Sequence, residues 1–199
     1  MDTVRLHMPE TMYAPDEATL SIGLYAPDAY RLGITVADGR GLGDALPLGQ
    51  LTLQPNPGDM PNPLSQNFDE QLRLVGYEYN NRVLRPGDVL AVTLVWQAIS
   101  SPEEDYEVEV GLCDDPCPDW MGLRLTAVTP LNPPTSTLLP EQVISQTVLL
   151  SLPDDLPPGA YLIHVALLDP MTKEPQNVLA DDGHILDDRL LLAQVRIVQ

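Results

Sequence analysis

The sequence predicts an all-β protein: an immunoglobulin-like antiparallel β-sandwich with an additional partial, three-stranded copy at its N-terminus. Three observations predict it. The chain of 199 residues holds 21 prolines and 13 glycines, dense punctuation that favours short strands joined by turns over long helices. After the turn Leu84-Arg85-Pro86-Gly87-Asp88, a period-two run places Leu90, Val92, Leu94 and Trp96 on one face and Ala91, Thr93 and Gln97 on the other, the pattern of a strand that buries one side. Further runs of this kind follow between residues 67 and 199 in the number a two-sheet sandwich needs. Aromatics make up only 5% of the chain, so leucine, valine and isoleucine must fill the core.

In chain order, residues 1–54 read as the end of a preceding module. Residues 2–53 align with residues 146–197 at a spacing of 144. Asp2-Thr3-Val4-Arg5-Leu6-His7-Met8-Pro9 falls on Gln146-Thr147-Val148-Leu149-Leu150-Ser151-Leu152-Pro153, and Asp38-Gly39 on Asp182-Gly183. Between these blocks the alignment slips by one, setting Leu24-Tyr25-Ala26-Pro27 on Leu167-Leu168-Asp169-Pro170. That period is far longer than a solenoid repeat and predicts tandem domains. The partial module would supply E-, F- and G-like strands at Val4–Met8, Thr19–Tyr25 and Leu46–Leu53. Three strands have an apolar face and no opposing sheet, so self-association, or docking on the full module, is expected. The same repeat predicts that the chain is the C-terminal piece of a longer protein, or the product of a truncated reading frame, and leaves open whether Met1 is the native start.

Residues 55–66, with Pro55, Pro57, Pro61 and Pro63, read as a proline-rich, extended linker. The complete module then spans 67–199. Strand A lies near Gln71–Tyr79, and strand B is the run ending at Trp96. Strand C is Tyr106–Leu112, where Glu107 and Glu109 alternate with Val108 and Val110. Strand D lies near Leu123–Val128, E at Val143–Leu150, F at Tyr161–Leu168 and G at Leu190–Val198. Turn sequences such as Ser101-Pro102, Asn132-Pro133-Pro134 and Pro157-Pro158-Gly159 separate them. Tyr161 stands where a tyrosine corner would bond back to the backbone.

Charge excludes whole classes of partner. Ten basic residues face 29 acidic ones, a formal charge of −19, and Lys173 is the sole lysine. Phosphate backbones need clustered Lys and Arg, so nucleic acid is excluded, and an anionic membrane surface would repel the chain. No stretch approaches the ~20 apolar residues of a membrane helix, so no direct insertion is expected. The N-terminal residues do not have the pattern of a signal peptide. A glycan or a protein is the partner class that remains.

Candidates for chemistry are few. Cys113 and Cys117 form a C-x3-C pair without the further ligands zinc needs, leaving a disulfide in an oxidising compartment or two free thiols. Asp181, Asp182, Asp187 and Asp188 are weak Ca²⁺ candidates, but their order is not that of an EF-hand. Other acidic loops, at Asp114-Asp115 and Asp154-Asp155, read as solvated. His164 sits mid-strand without a nucleophile motif and reads as solvent-facing or as a satisfied strand histidine. No catalytic residue and no cofactor is expected. Trp96, Trp120, Tyr77, Tyr79 and Tyr106 are the rings available for a sugar-stacking platform; Trp96 reads as core, and Trp120, in a loop, as the candidate ligand contact.

The order of Asn67-Phe68-Asp69-Glu70-Gln71-Leu72, Leu84-Arg85-Pro86-Gly87-Asp88, Thr93-Leu94-Val95-Trp96, Pro134-Thr135-Ser136-Thr137 and Leu156-Pro157-Pro158-Gly159-Ala160-Tyr161 resembles a known family. It is similar to the β-sandwich modules appended to bacterial multi-pass membrane glycosyltransferases of the protein-mannosyltransferase-like type. The resemblance implies an extracytoplasmic, non-catalytic accessory module tethered to a membrane protein, with the chemistry in a membrane-embedded part outside this sequence. The Cys113/Cys117 loop is not part of that pattern. The alternative is a carbohydrate-binding module using exposed aromatics and acidic loops.

Overall fold

The computed structural model describes residues 6, 12–26, 31–54, 57–114, 117 and 125–199. Two compact units emerge, one of Ala14–Pro55 and one of Asn56–Gln199 together with Met1–Tyr13. The described part is built of strands with one short 3-10 turn at Thr135–Thr137. No helix among the described residues is long and apolar enough to cross a membrane.

The smaller unit contains β1 (Asp16–Ile22), β2 (Ile34–Thr35), β3 (Gly41–Gly43) and β4 (Leu46–Leu53). β1 pairs antiparallel with β4, and β2 with β3. The expected E-like strand at Val4–Met8 lies outside the described residues apart from Leu6.

The larger unit is a two-sheet sandwich. Its strands are β5 (Gln66–Phe68), β6 (Leu72–Tyr79), β7 (Val83–Leu84), β8 (Val89–Ala98), β9 (Glu107–Asp114), β10 (Leu125–Pro130), β11 (Val143–Ser151), β12 (Gly159–Leu168), β13 (Val178–Leu179), β14 (Ile185–Asp187) and β15 (Leu190–Ile197). One sheet runs β11-β8-β6-β5-β13-β14, the other β10-β9-β12-β15-β7. The strand expected as D is β10, and it pairs with β9, so it extends the second sheet.

Alternation decides which side chains meet between the sheets. Leu90, Val92, Leu94 and Trp96 of β8 face Val108, Val110 and Leu112 of β9 and Tyr161, Ile163, Val165 and Leu167 of β12 in one core. Trp96 is fully buried, with the Phe68 ring edge-on at 5.2 Å between centroids.

The Pro-Gly turn marks a change of sheet. Val83 and Leu84 pair in parallel with Arg196 and Ile197 of β15, after which the chain turns at Gly87 (φ 84°) and enters β8 in the other sheet. Asp88 closes the turn, its carboxylate accepting the Arg85 backbone N–H at 2.7 Å.

The proline-rich linker is a free spacer in neither of its described parts near β6. Pro61 O accepts the Tyr77 N–H at 2.9 Å and Val75 O accepts the Leu64 N–H at 3.2 Å. These bonds meet β6 where its register shifts between Leu74 and Gly76. A Cβ at Gly76 would stand 2.7 Å from Pro61 O, so the backbone approach requires glycine. Tyr13 also belongs to this unit, its ring 4.5 Å from that of Tyr79 and beneath the Arg82 guanidinium at 4.7 Å. The larger unit thus takes in Met1–Tyr13 and the stretch from Asn56 onward.

At the entry to β12, the Tyr161 hydroxyl donates to Pro157 O at 2.8 Å, a bond that pins the turn ahead of the strand. Tyr161→Phe is expected to cost about 1 kcal/mol, read as a lower urea midpoint at unchanged slope.

Candidate functional site

Two places in the larger unit gather polar side chains. The first is the β13–β14 hairpin with its four candidate carboxylates, which the structure does not bring together. Asp182 folds back on its own turn, accepting the His184 backbone N–H at 3.2 Å and contacting the His184 ring. The ring contact first, and the backbone bond after it, hold the Asp182 carboxyl below its usual range. Asp188 pairs with Arg189 at 3.2 Å, and Asp187 accepts the Asp188 N–H at 2.8 Å. Asp181 borders a shallow recess of about 180 Å³ with Ser65, Gln66, Leu179, Ala180 and Leu186. Among the described residues no three His, Cys, Asp or Glu side chains converge on a point where a cation would sit.

The same use of carboxylates recurs elsewhere. Asp105 accepts the Ser136 N–H at 3.0 Å, and Asp169 accepts those of Met171 and Thr172 at 2.8 Å. The Ser136 side chain first, and then its N–H, hold the Asp105 carboxyl low, and the Thr172 and Met171 N–H groups do the same for Asp169. These carboxylates tie turns, as short polar side chains do next to free backbone donors.

The second place is the outer face of the second sheet. Opposite the core-facing residues, β9 presents Glu109, Gly111 and Cys113, and β12 presents His164, Ala166 and Leu168. All of them are buried. His164 lies across Gly111 on one side and pairs with Leu191 on the other. Any Cβ at Gly111 would overlap His164 Nε2 and stand 2.5 Å from Leu125 O, so glycine makes the room for the imidazole. Burial, and then the charge of Arg189, push His164 down to about 4. Arg189 Nε donates to Glu109 Oε1 at 3.2 Å, with both side chains largely withdrawn from water. Lys173 pairs with Glu107 at 2.6 Å. A disulfide joins Cys113 and Cys117, with Cα atoms 5.6 Å apart.

The solvent-facing alternative for His164 is therefore corrected: it is an interior residue. Sequence reasoning missed this second buried face, although a signal for it existed. Tyr161-Leu162-Ile163-His164-Val165-Ala166-Leu167-Leu168 is nearly continuous in apolar character rather than alternating, as strands covered on both sides are. Four of the five platform rings are core residues. Trp96 and Tyr77 are fully buried, and Tyr79 and Tyr106 are 9% and 7% exposed, so their ring faces are turned into the protein. Burial pushes the Tyr77 phenol up, and its hydroxyl donates to Leu192 O at 3.3 Å. Trp120 lies outside the described residues.

The fold and these two faces define a β-sandwich. No family model matches the chain, and no curated protein matches it. Solved structures do. The C-terminal domain of wzt shares 9% identity, with 67% of this chain and 77% of that chain covered at a TM-score of 0.47. A Niemann-Pick type C2 protein from the Japanese carpenter ant has 9% identity, 63% and 91% coverage and a TM-score of 0.37. A bacterial adhesin from Mobiluncus mulieris has 11% identity, 59% and 50% coverage and a TM-score of 0.35.

Proposed function

We propose that the chain is a non-catalytic accessory module working outside the cytoplasm, as the C-terminal part of a membrane glycosyltransferase-like protein. One observation carries the non-catalytic part of this reading. The hairpin frame occurs twice, but its polar side chains recur only in part: Asp38, Asp44 and Gln50 hold the positions of Asp182, Asp188 and Gln194. β1 and β4 pair as β12 and β15 do, from Asp16↔Leu53 matching Gly159↔Ile197 to Ile22↔Leu46 matching Val165↔Leu190, with the register shift at the same place. Yet the positions of His164, Arg189 and Asp181 are held in the first copy by Ser21, Ala45 and Ala37. What is duplicated is a scaffold.

The order of sequence motifs quoted above supports the parent assignment. The Cys113–Cys117 disulfide supports an oxidising compartment. The test is glycan-array binding by the purified chain together with an assay on simple glycosides. Neither binding nor hydrolysis is expected. A reproducible glycan hit would replace this reading with the carbohydrate-binding one, and turnover would overturn both.

A further inference from the structure

The smaller unit has a core face without a core. At the register equivalence between the two hairpins, the residues of β12 that fill the sandwich, Tyr161, Ile163, Val165 and Leu167, correspond to Ala18, Leu20, Ile22 and Leu24. Those of β15, Leu192, Val195 and Ile197, correspond to Leu48, Leu51 and Leu53. In the larger unit Ile163, Val165 and Leu167 are fully buried, whereas Ile22, Leu24 and Leu48 are 52%, 65% and 57% exposed. The opposite face is polar, with Thr19 donating to Gln50 at 3.2 Å. The loop repeats too. Ile34↔Gly43 and Thr35↔Gly41 match Val178↔Asp187 and Leu179↔Ile185, and Gly39 and Gly183 share a φ of 85°.

What covers such a face is visible in the larger unit. There the hairpin packs against β6, β8 and β11, and the free edge of β12 pairs with β9 from Tyr161↔Asp114 to Leu168↔Glu107. β1 belongs to a two-stranded sheet whose other member is β4, so its corresponding edge carries no strand among the described residues. Hairpin-on-hairpin pairing of two copies would cover too little. Two strands of this length present roughly 250–350 Å² a side, against the ~1,200 Å² total of a stable interface.

We propose that Ala14–Pro55 is the F–G half of a second sandwich, and that its apolar face and the β1 edge take up the strands of a like module preceding it in a longer polypeptide, the E-like strand of which ends at Val4–Met8 by the alignment. This is independent of the accessory reading, since it holds whether or not either module binds a glycan.

A tandem chain tests it. By the same alignment Pro153 corresponds to Pro9, so residues 57–153 of this protein, placed directly before Glu10 of a second copy, supply strands of the required type in register. Amide hydrogen exchange is followed on the hairpin peptides of the 199-residue chain and of the tandem chain, with sedimentation recording the mass of each. The expected result is rapid exchange in the short chain and exchange slowed about 100-fold or more in the tandem chain. Leu48→Glu in the tandem chain should return the hairpin to rapid exchange while the C-terminal module stays protected. Equal protection in the short chain, as monomer or dimer, overturns the proposal, because the face is then covered without added strands. Rapid exchange or aggregation of the tandem chain overturns it as well.

Discussion

Trp96→Ala is expected to destabilise the larger unit by about 3–5 kcal/mol, the range of large aromatic deletions from a packed core. The indole is fully buried between the sheets and meets Phe68 edge-on. Its Nε1 has no hydrogen-bond partner among the described residues, so what is lost is contact area and shape rather than a bond. Removing it leaves a void lined by Leu74 and Phe68, both fully buried on strands held by ladder bonds on either side, and such strands cannot close inward cheaply. For a unit of this size the loss corresponds to a fall in melting temperature of roughly 6–20 °C. Urea denaturation followed by far-UV circular dichroism measures it. A change below about 1 kcal/mol would show that Trp96 does not hold the sheets together.

Acid should reveal His164. Its pKa is about 4 in the folded protein, against an ordinary value of 6.5, because burial and the neighbouring Arg189 both disfavour the imidazolium. The folded state therefore binds the proton less readily than the unfolded chain. The stabilisation is complete above about pH 6.5, falls as the pH is lowered toward 4, and stops changing below that on this residue's account. The loss over the window is about 3 kcal/mol. Asp105, Asp169 and Asp182 are held below 3.8, so their stabilisation is lost only as the pH falls further, and the two effects separate. Unfolding free energies at intervals from pH 7.5 to 4 measure the slope. His164→Leu should flatten it; an unchanged slope in that variant would assign the effect elsewhere.

How far the sequence was legible follows from what each element depends on. β8, β9, β12 and β15 are set by alternation between turn residues, and the run ending at Trp96 and the Glu107/Glu109 alternation can be read directly. β7 cannot be read that way. Val83 and Leu84 carry no period, and their change of sheet depends on backbone bonds to residues more than a hundred positions away. The linker misleads for a related reason. Its prolines signal extension, but Pro61 O and Leu64 N–H bond to the backbone of β6, and backbone bonds leave no side-chain pattern behind; Gly76 was the single trace. The acidic loops misled in the opposite direction. A count of carboxylates says nothing about which of them face a neighbouring N–H, and that decides between a turn and a cation site. Trp120, on which the sugar-binding alternative leaned, lies outside the described residues.

The parallel pairing of β7 with β15 has a mechanical meaning. Arg196 N–H donates to Arg82 O at 2.8 Å and Val198 N–H to Leu84 O at 2.9 Å, so these bonds join an early segment of the larger unit to its last strand, running the same way. Tension applied along the chain drags the two segments lengthwise past each other. Bonds loaded in shear share the force and give way together, whereas a hairpin peeled from its open end loses them singly. A bead clasped in this manner resists being drawn out by its ends.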